Sequence, residues 1–310
     1  MGEVREVAAG LQFPEGPIAM DDGSVVLVEI KRQTLTRVKP DGTNEVIAEL
    51  GGGPNGAAIG PDGKAYVCNN GGFEWHDLMG MTVPGAQPDD YIGGRIQRVD
   101  LASGAVEDLY TECGGNPLKG PNDIVFDRDG GFWFTDLGKS RAREVDRGGL
   151  YYAKADGSEI TEAVFGLDHP NGIGLSPDGD RLYVAETTTG RIWYWDLDGP
   201  GQLRPGTSMP FAPGQATLLY TFDNYQLLDS LAVDGDGNVC VATLLTGAIT
   251  AISPDGKVEA QVAVPEHDPF VTNVCFGGDD LRTAYITSSG WGRLYATEWH
   301  CAGLQLAYTA

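Results

Sequence analysis

Short apolar runs alternate with turn residues along the whole chain, and one arrangement of them recurs six times. Its clearest copy runs from Pro170 to Glu186. A polar residue opens a short apolar strand, a Pro-Asp-Gly turn follows, and a second apolar strand returns. The opening residues are Glu15, Asn55, Asn122, Asn171, Asp229 and Asn273. A turn glycine stands eight residues after each of the first five, at Gly23, Gly63, Gly130, Gly179 and Gly237. The sixth copy turns instead through Gly277-Gly278-Asp279-Asp280. Successive opening residues are 40, 67, 49, 58 and 44 positions apart, the scale of a four-stranded blade with variable loops. The pattern predicts an all-β protein: one six-bladed β-propeller over 1–310, with four-stranded antiparallel blades around a central channel.

Within this frame the first blade reads as an inner pair, 16–19 and 25–29, and an outer pair, 34–39 and 45–48. The third blade has its second strand over 132–136 and its third over 149–154; the fourth includes 191–195. Residues 3–8 alternate apolar and charged and compete with 304–308 to close the ring. The second blade carries the longest insertion, about 71–94, with Phe73, Trp75, His76, Met79, Met81 and Tyr91. Loops of this length are usually functional. It leaves the end of a blade's second strand, so it starts on the face where the opening residues lie. A lid over that face and a loop that merely covers blade edges are equally open readings. The stretch 199–214 reads as a loop rich in Pro and Gly.

Composition adds little to the fold and narrows the partners. Gly is 45 of 310 residues, about twice the usual ~7%, and sits largely in turns. The formal net charge of −23 argues against nucleic acid and anionic membranes as partners. The five cysteines show no Cys-x-x-Cys spacing, so neither a zinc site nor a disulfide framework is expected. Without an apolar leader or a long apolar run, the expected location is cytoplasmic.

The register of the repeat changes the picture more. In a propeller the first strand of each blade lines the channel, so equivalent positions form a ring. Every opening residue has a side-chain oxygen, and Glu15 and Asp229 are carboxylates. A ring of hard oxygen donors suits a hard divalent cation. Turn capping is the competing explanation, least so for Glu15 and Asp229 and most for Asn55 and Asn273. A second row, Glu29, Asn69, Asp136 and Glu186, ends the returning strands beside the ring. These residues either orient the ring or cap strand ends. His169, His267 and His76 are candidate proton shuttles, each more often a hydrogen-bonded loop histidine. No Ser/His/Asp set, nucleophile elbow or phosphate loop is present.

Phe13-Pro14-Glu15-Gly16-Pro17, Gly120-Pro121-Asn122-Asp123, His169-Pro170-Asn171-Gly172 and, more loosely, Leu228-Asp229-Ser230-Leu231 resemble the SMP-30/gluconolactonase family of six-bladed propellers. The motifs come in family order over essentially the whole chain. The resemblance implies one divalent cation; hard oxygen ligands and many coordination positions favour Ca2+, with Mn2+, Zn2+, Mg2+ or Fe2+ as alternatives. Its ligands would be Glu15, Asn171 and Asp229, with Asn122 a further ligand or a substrate contact. It also implies hydrolysis of a small lactone or cyclic ester, with Asp229 as general base or nucleophile. Two positions depart from the family. Members acting on sugar lactones tend to have Arg where Gly120 stands, and Ser230 replaces the usual Gly after the catalytic Asp. The expected substrate contacts are Asn122, Ser230, Trp75 and His169. Trp75, Phe73, Tyr91 and the missing Arg point to a substrate less polar than a sugar lactone. An organophosphate hydrolase using the same cation and a non-catalytic binding propeller are the alternatives.

Overall fold

A computed structural model describes residues 1–206 and 211–309. Six antiparallel sheets follow one another around an axis as a six-bladed propeller. Each blade starts with the strand nearest the axis: Pro14–Ala19, Pro54–Ile59, Pro121–Phe126, Pro170–Leu175, Leu228–Val233 and Val271–Gly277. The expected strands appear with ends moved by a residue or two, as in Val25–Glu29, Thr34–Val38, Gly131–Asp136 and Gly148–Lys154. The stretch 199–214 is not wholly loop: Gln202–Leu203 pairs with Arg191–Gly199, and 207–210 lie outside the described residues. Among the described residues no helix is long and apolar enough to cross a membrane.

The N-terminal strand closes the ring. Arg5–Ala8 pairs with Arg293–Glu298 as the outer strand of the sixth blade. The C-terminal segment instead crosses the face that carries the Pro-Asp-Gly turns. Gly303 bridges to Asp234, Leu304 N–H donates to the Val233 carbonyl at 3.2 Å, and the Tyr308 ring sits 5.7 Å from Phe126. The core lies between blades. Trp133 and Leu150 of the third blade pack with Val184, Trp193 and Trp195 of the fourth, all buried. Burying such side chains stabilises by roughly 1.5–3 kcal/mol each.

Two features of the inner strands create the site. Every inner strand breaks register with its partner next to its opening residue, as between Glu15 and Ile18, Pro121 and Ile124, Pro170 and Ile173, and Leu228 and Leu231. Such bulges re-aim a side chain, here toward the axis. Three of the residues that follow are glycines, because the next blade's backbone lies against them. A Cβ on Gly16 would stand 2.5 Å from the Asn55 carbonyl, one on Gly56 2.5 Å from that of Asn122, and one on Gly172 2.5 Å from Leu231 N.

Candidate metal centre at the channel mouth

The bulged residues meet at one end of the channel. Glu15 is 1% exposed. Its Oε2 accepts from Gly16 N–H at 2.7 Å and from Asn273 Nδ2 at 2.8 Å. Asn273 Oδ1 is taken by Val274 N–H at 2.7 Å, so Asn273 offers the ring an amide donor and no free oxygen. That corrects the expectation of six inward oxygens. Asn171 is pinned by Nδ2 donating to Thr187 Oγ1 at 3.2 Å, and its Oδ1 accepts from Ser230 Oγ at 3.4 Å. Ser230 is fully buried, so its hydroxyl lies beside Asn171 rather than at an open surface. Asp229 Oδ1 accepts from Ser230 N–H at 3.1 Å, and Asp229 is the partly accessible carboxylate of the ring.

Burial raises the Glu15 carboxyl above its ordinary range. Burial, and then the charges of Glu15 and Asp123, raise Asp229 well above its own. Asp123, next in sequence to Asn122, is pushed up to about 7 by burial and by Glu15, although Ile124 N–H and Ile173 N–H donate to it. Two buried carboxyls and the half-buried Asp229 thus crowd one mouth. Asn122 Oδ1 and Asn55 Oδ1 are also buried there without a hydrogen-bond partner. Orphaned amide oxygens beside mutually repelling carboxylates are costly unless a cation completes them. The residues present fit a hard divalent ion held by Glu15, Asn122, Asn171 and Asp229.

The second row holds the ring through the backbone. Each residue clamps the chain two or three positions before an opening residue. Glu29 Oε2 accepts from Gln12 N–H, and Asn69 Oδ1 from Gly53 N–H. Asp136 accepts from Lys119 and Gly120 N–H, both at 2.7 Å, and from Gly138 N–H at 2.9 Å. Glu186 accepts from Asp168 N–H at 2.8 Å. Orientation and strand-end capping are therefore one function. Two positions before Glu15 and Asn171, Phe13 and His169 hold left-handed backbone, with φ of 58° and 51°. Non-glycine residues take that region at a cost that surrounding structure must cover. Gly120 stands at the same offset before Asn122, and a Cβ there would lie 2.5 Å from the Gly138 carbonyl. The loop 137–147 closes the place where an arginine side chain would start.

The insertion lies across this face. Its centre is a hairpin, Trp75–Leu78 with Met81–Pro84. Thr82 N–H donates to the Gly290 carbonyl of the sixth blade, and Gln87 N–H to the Ser140 carbonyl of the third. Trp75 packs on Phe13 with ring centroids 5.3 Å apart, and Phe13 on Phe270 at 5.8 Å. His169 is bound to hydroxyls on both sides, Nε2 3.4 Å from Ser140 Oγ and Nδ1 3.2 Å from Thr188 Oγ1. Neither nitrogen bonds a ring side chain, and burial lowers its pKa below the usual histidine value. Lys139, which sequence patterning does not single out, is 1% exposed at the root of the insertion. Its Nζ donates to the Gly72 carbonyl at 2.6 Å and to Asn70 Oδ1 at 3.1 Å, and sits 4.1 Å from the Phe73 ring centre. Burial pulls it down to about 7, against the attraction of Asp136. A cavity of about 580 Å3 begins under the ring, at Gly16, Asp123 and Asn273, and runs to the turn face. It is the channel behind the mouth rather than the mouth itself.

Fold and site together define a six-bladed propeller with carboxylates and amide oxygens gathered at one mouth of its channel. The chain belongs to the SMP-30/gluconolactonase/LRE-like family, whose model matches residues 13–290. It is 27% identical over 317 residues to the gluconolactonase of Zymomonas mobilis, covering 92% of this chain and 79% of that one. It is 31% identical over 262 residues to lactonase drp35 of Staphylococcus saprophyticus, covering 84% and 72%. In structure it resembles the calcium-binding protein regucalcin of Agrobacterium tumefaciens, with a TM-score of 0.73 and 20% identity over 99% and 98% of the chains. At that identity the last likeness concerns the fold.

Proposed function

We propose that this protein is a metal-dependent lactonase working at the channel mouth. The observation that carries the reading is the ring itself: Glu15 raised by burial and Asp229 by burial and the Glu15 charge, beside the unpartnered Oδ1 of Asn122. Curated relatives named gluconolactonase and lactonase support the reaction class. A hard divalent ion, Ca2+ in the first instance, supplies Lewis acidity toward an ester carbonyl and its oxyanion.

The chain's own residues do the rest. Glu15 is fixed by Gly16 and Asn273 and balances cationic charge. Asn171 and Asn122 add neutral oxygens without adding charge. Asp229 is the reacting carboxylate, since it is the ring acid with exposure. It takes the proton of the attacking water, or attacks the carbonyl directly. The aromatic wall of Trp75, Phe13 and Phe270 covers the mouth and excludes water. With Gly120 closed against an arginine, it favours lactones with apolar or aromatic bodies over sugar lactones.

Calorimetric titration of the metal-stripped protein with Ca2+ tests the reading. Wild type should bind near the mouth and regain lactone hydrolysis in parallel. Glu15→Gln and Asn171→Ala should each weaken binding and hydrolysis together. Hydrolysis that persists in the stripped protein, or that is unchanged in both variants, would contradict it.

A further inference from the structure

The turn face carries a second cluster of metal-ligating side chains, at the far end of the axis from the mouth. The inner strand Leu228–Val233 has Asp229 at its mouth end and delivers Asp234 at the other. Asp234 is 0% exposed. Its Oδ1 accepts from Asp236 N–H at 3.1 Å, Asn238 N–H at 2.9 Å and Asn238 Nδ2 at 3.1 Å. Asn238 Nδ2 also reaches Oδ2 at 2.9 Å. These bonds fix the carboxylate with Oδ2 toward the C-terminal segment. There Trp299 Nε1 stands 3.3 Å away, His300 Nε2 3.7 Å and Cys240 Sγ 3.8 Å. The ligand atoms of Asp234, His300 and Cys301 all lie within 4.8 Å of one another. Cys301 and Cys240 are buried, and exposed His300 forms the outer wall.

We propose that Asp234, His300 and Cys301 form a second metal site for a borderline-soft divalent cation such as Zn2+. The donor chemistry supports this. A carboxylate oxygen, an imidazole nitrogen and a thiol sulfur match the ligands zinc takes in tetrahedral sites, with the fourth position left to water. The mouth offers oxygens only, so the two ends of the molecule select cations of different softness. Asp234 acts as an anchor already oriented by Asn238 and by the turn backbone, as carboxylate ligands in metal sites commonly are. Zinc ligands stand about 2.0–2.3 Å from the ion, so binding draws these atoms closer than they stand now. His300 and Cys301 lie beyond the last strand, between backbone held at Trp299 and at Ala302, so that movement falls to their side chains.

Binding is coupled to proton release. The bond formed is sulfur to metal, the bond broken is S–H, and the proton leaves to solvent, so affinity rises with pH. Once occupied, the site ties the segment after the sixth blade to the fifth blade. It adds a clasp to a ring otherwise closed by the Arg5–Ala8 strand. Preferential binding to the folded state then stabilises the whole propeller.

Titration of the metal-stripped, full-length protein with Co2+ tests the proposal, because cobalt bound to thiolate gives a sulfur-to-metal charge-transfer band that oxygen ligands lack. Wild type should show that band at one equivalent, and stoichiometric Zn2+ should abolish it. Asp229→Asn, altered at the mouth, should keep it. Cys301→Ser should lose it, and His300→Ala, a change at an exposed side chain, should weaken cobalt binding at least about tenfold. Melting curves of the stripped variants identify any that fail to fold. Absence of the band in wild type, or its survival in Cys301→Ser, would overturn the proposal.

Discussion

At the scale of single residues, the account rests on what each side chain is prevented from doing. Glu15 cannot reach water and is held by Asn273 and Gly16, and the proposed cation would balance its charge. Glu15→Gln should lower lactone hydrolysis by at least ~10²-fold, read as kcat/KM at saturating Ca2+. Asp136 serves three backbone N–H groups at once. Asp136→Asn replaces one acceptor oxygen by a donor, and should cost about 1–3 kcal/mol of stability. Metal affinity should fall by ~10–100-fold, since residues behind a ligand tune it on that scale. Gly120→Arg forces a side chain against the Gly138 carbonyl. Instead of creating a sugar lactonase, it should destabilise by about 1–3 kcal/mol, measured by denaturant unfolding. The six opening residues were legible because they share one register position. Asn273 was misread as an oxygen donor because an amide has two faces, and only its surroundings choose between them. Asp123 and Lys139 gave no sequence signal, since their importance comes from burial beside segments far away in the chain.

At the scale of elements, strand pairing and turn chemistry carried the reading. The Pro-Asp-Gly turns and apolar alternation place each inner hairpin within a residue or two. The bulge beside each opening residue was not legible, because a register break leaves no compositional mark. Yet it is the bulge that points Glu15, Asn122, Asn171 and Asp229 inward. Gly172→Ala should therefore displace the strand that carries Asp229, since its Cβ would meet that strand's backbone. Loss of activity should exceed what the drop in melting temperature explains. The 71–94 insertion was readable as long and aromatic, but the choice between a lid and a loop over blade edges was not, because it depends on contacts with the third and sixth blades. Lys139 anchors its root. A free lysine titrates at about 10.4, and this one at about 7. Between those values the unfolded chain binds a proton that the folded chain lacks, so this group makes stability rise with pH from about 7 to about 10. Lys139→Met should flatten that rise in melting temperature measured across the same range.

At the scale of the molecule, closure and charge matter most. The ring is sealed by Arg5–Ala8, and the choice between the two chain ends was beyond sequence because both ends alternate adequately. The acidic surface, with a formal net charge of −23, raises the local concentration of cations around both ends of the axis. The central claim is that the mouth is a cation-dependent catalytic site. Its most direct test is hydrolysis of an aromatic lactone by wild type and Asp229→Ala, before chelation, after chelation and after Ca2+ is returned. The account predicts that wild type loses activity on chelation and recovers it with Ca2+, while Asp229→Ala is inactive throughout. Wild-type activity indifferent to chelation, together with an active Asp229→Ala, would mean that the ring holds the propeller together without catalysing anything.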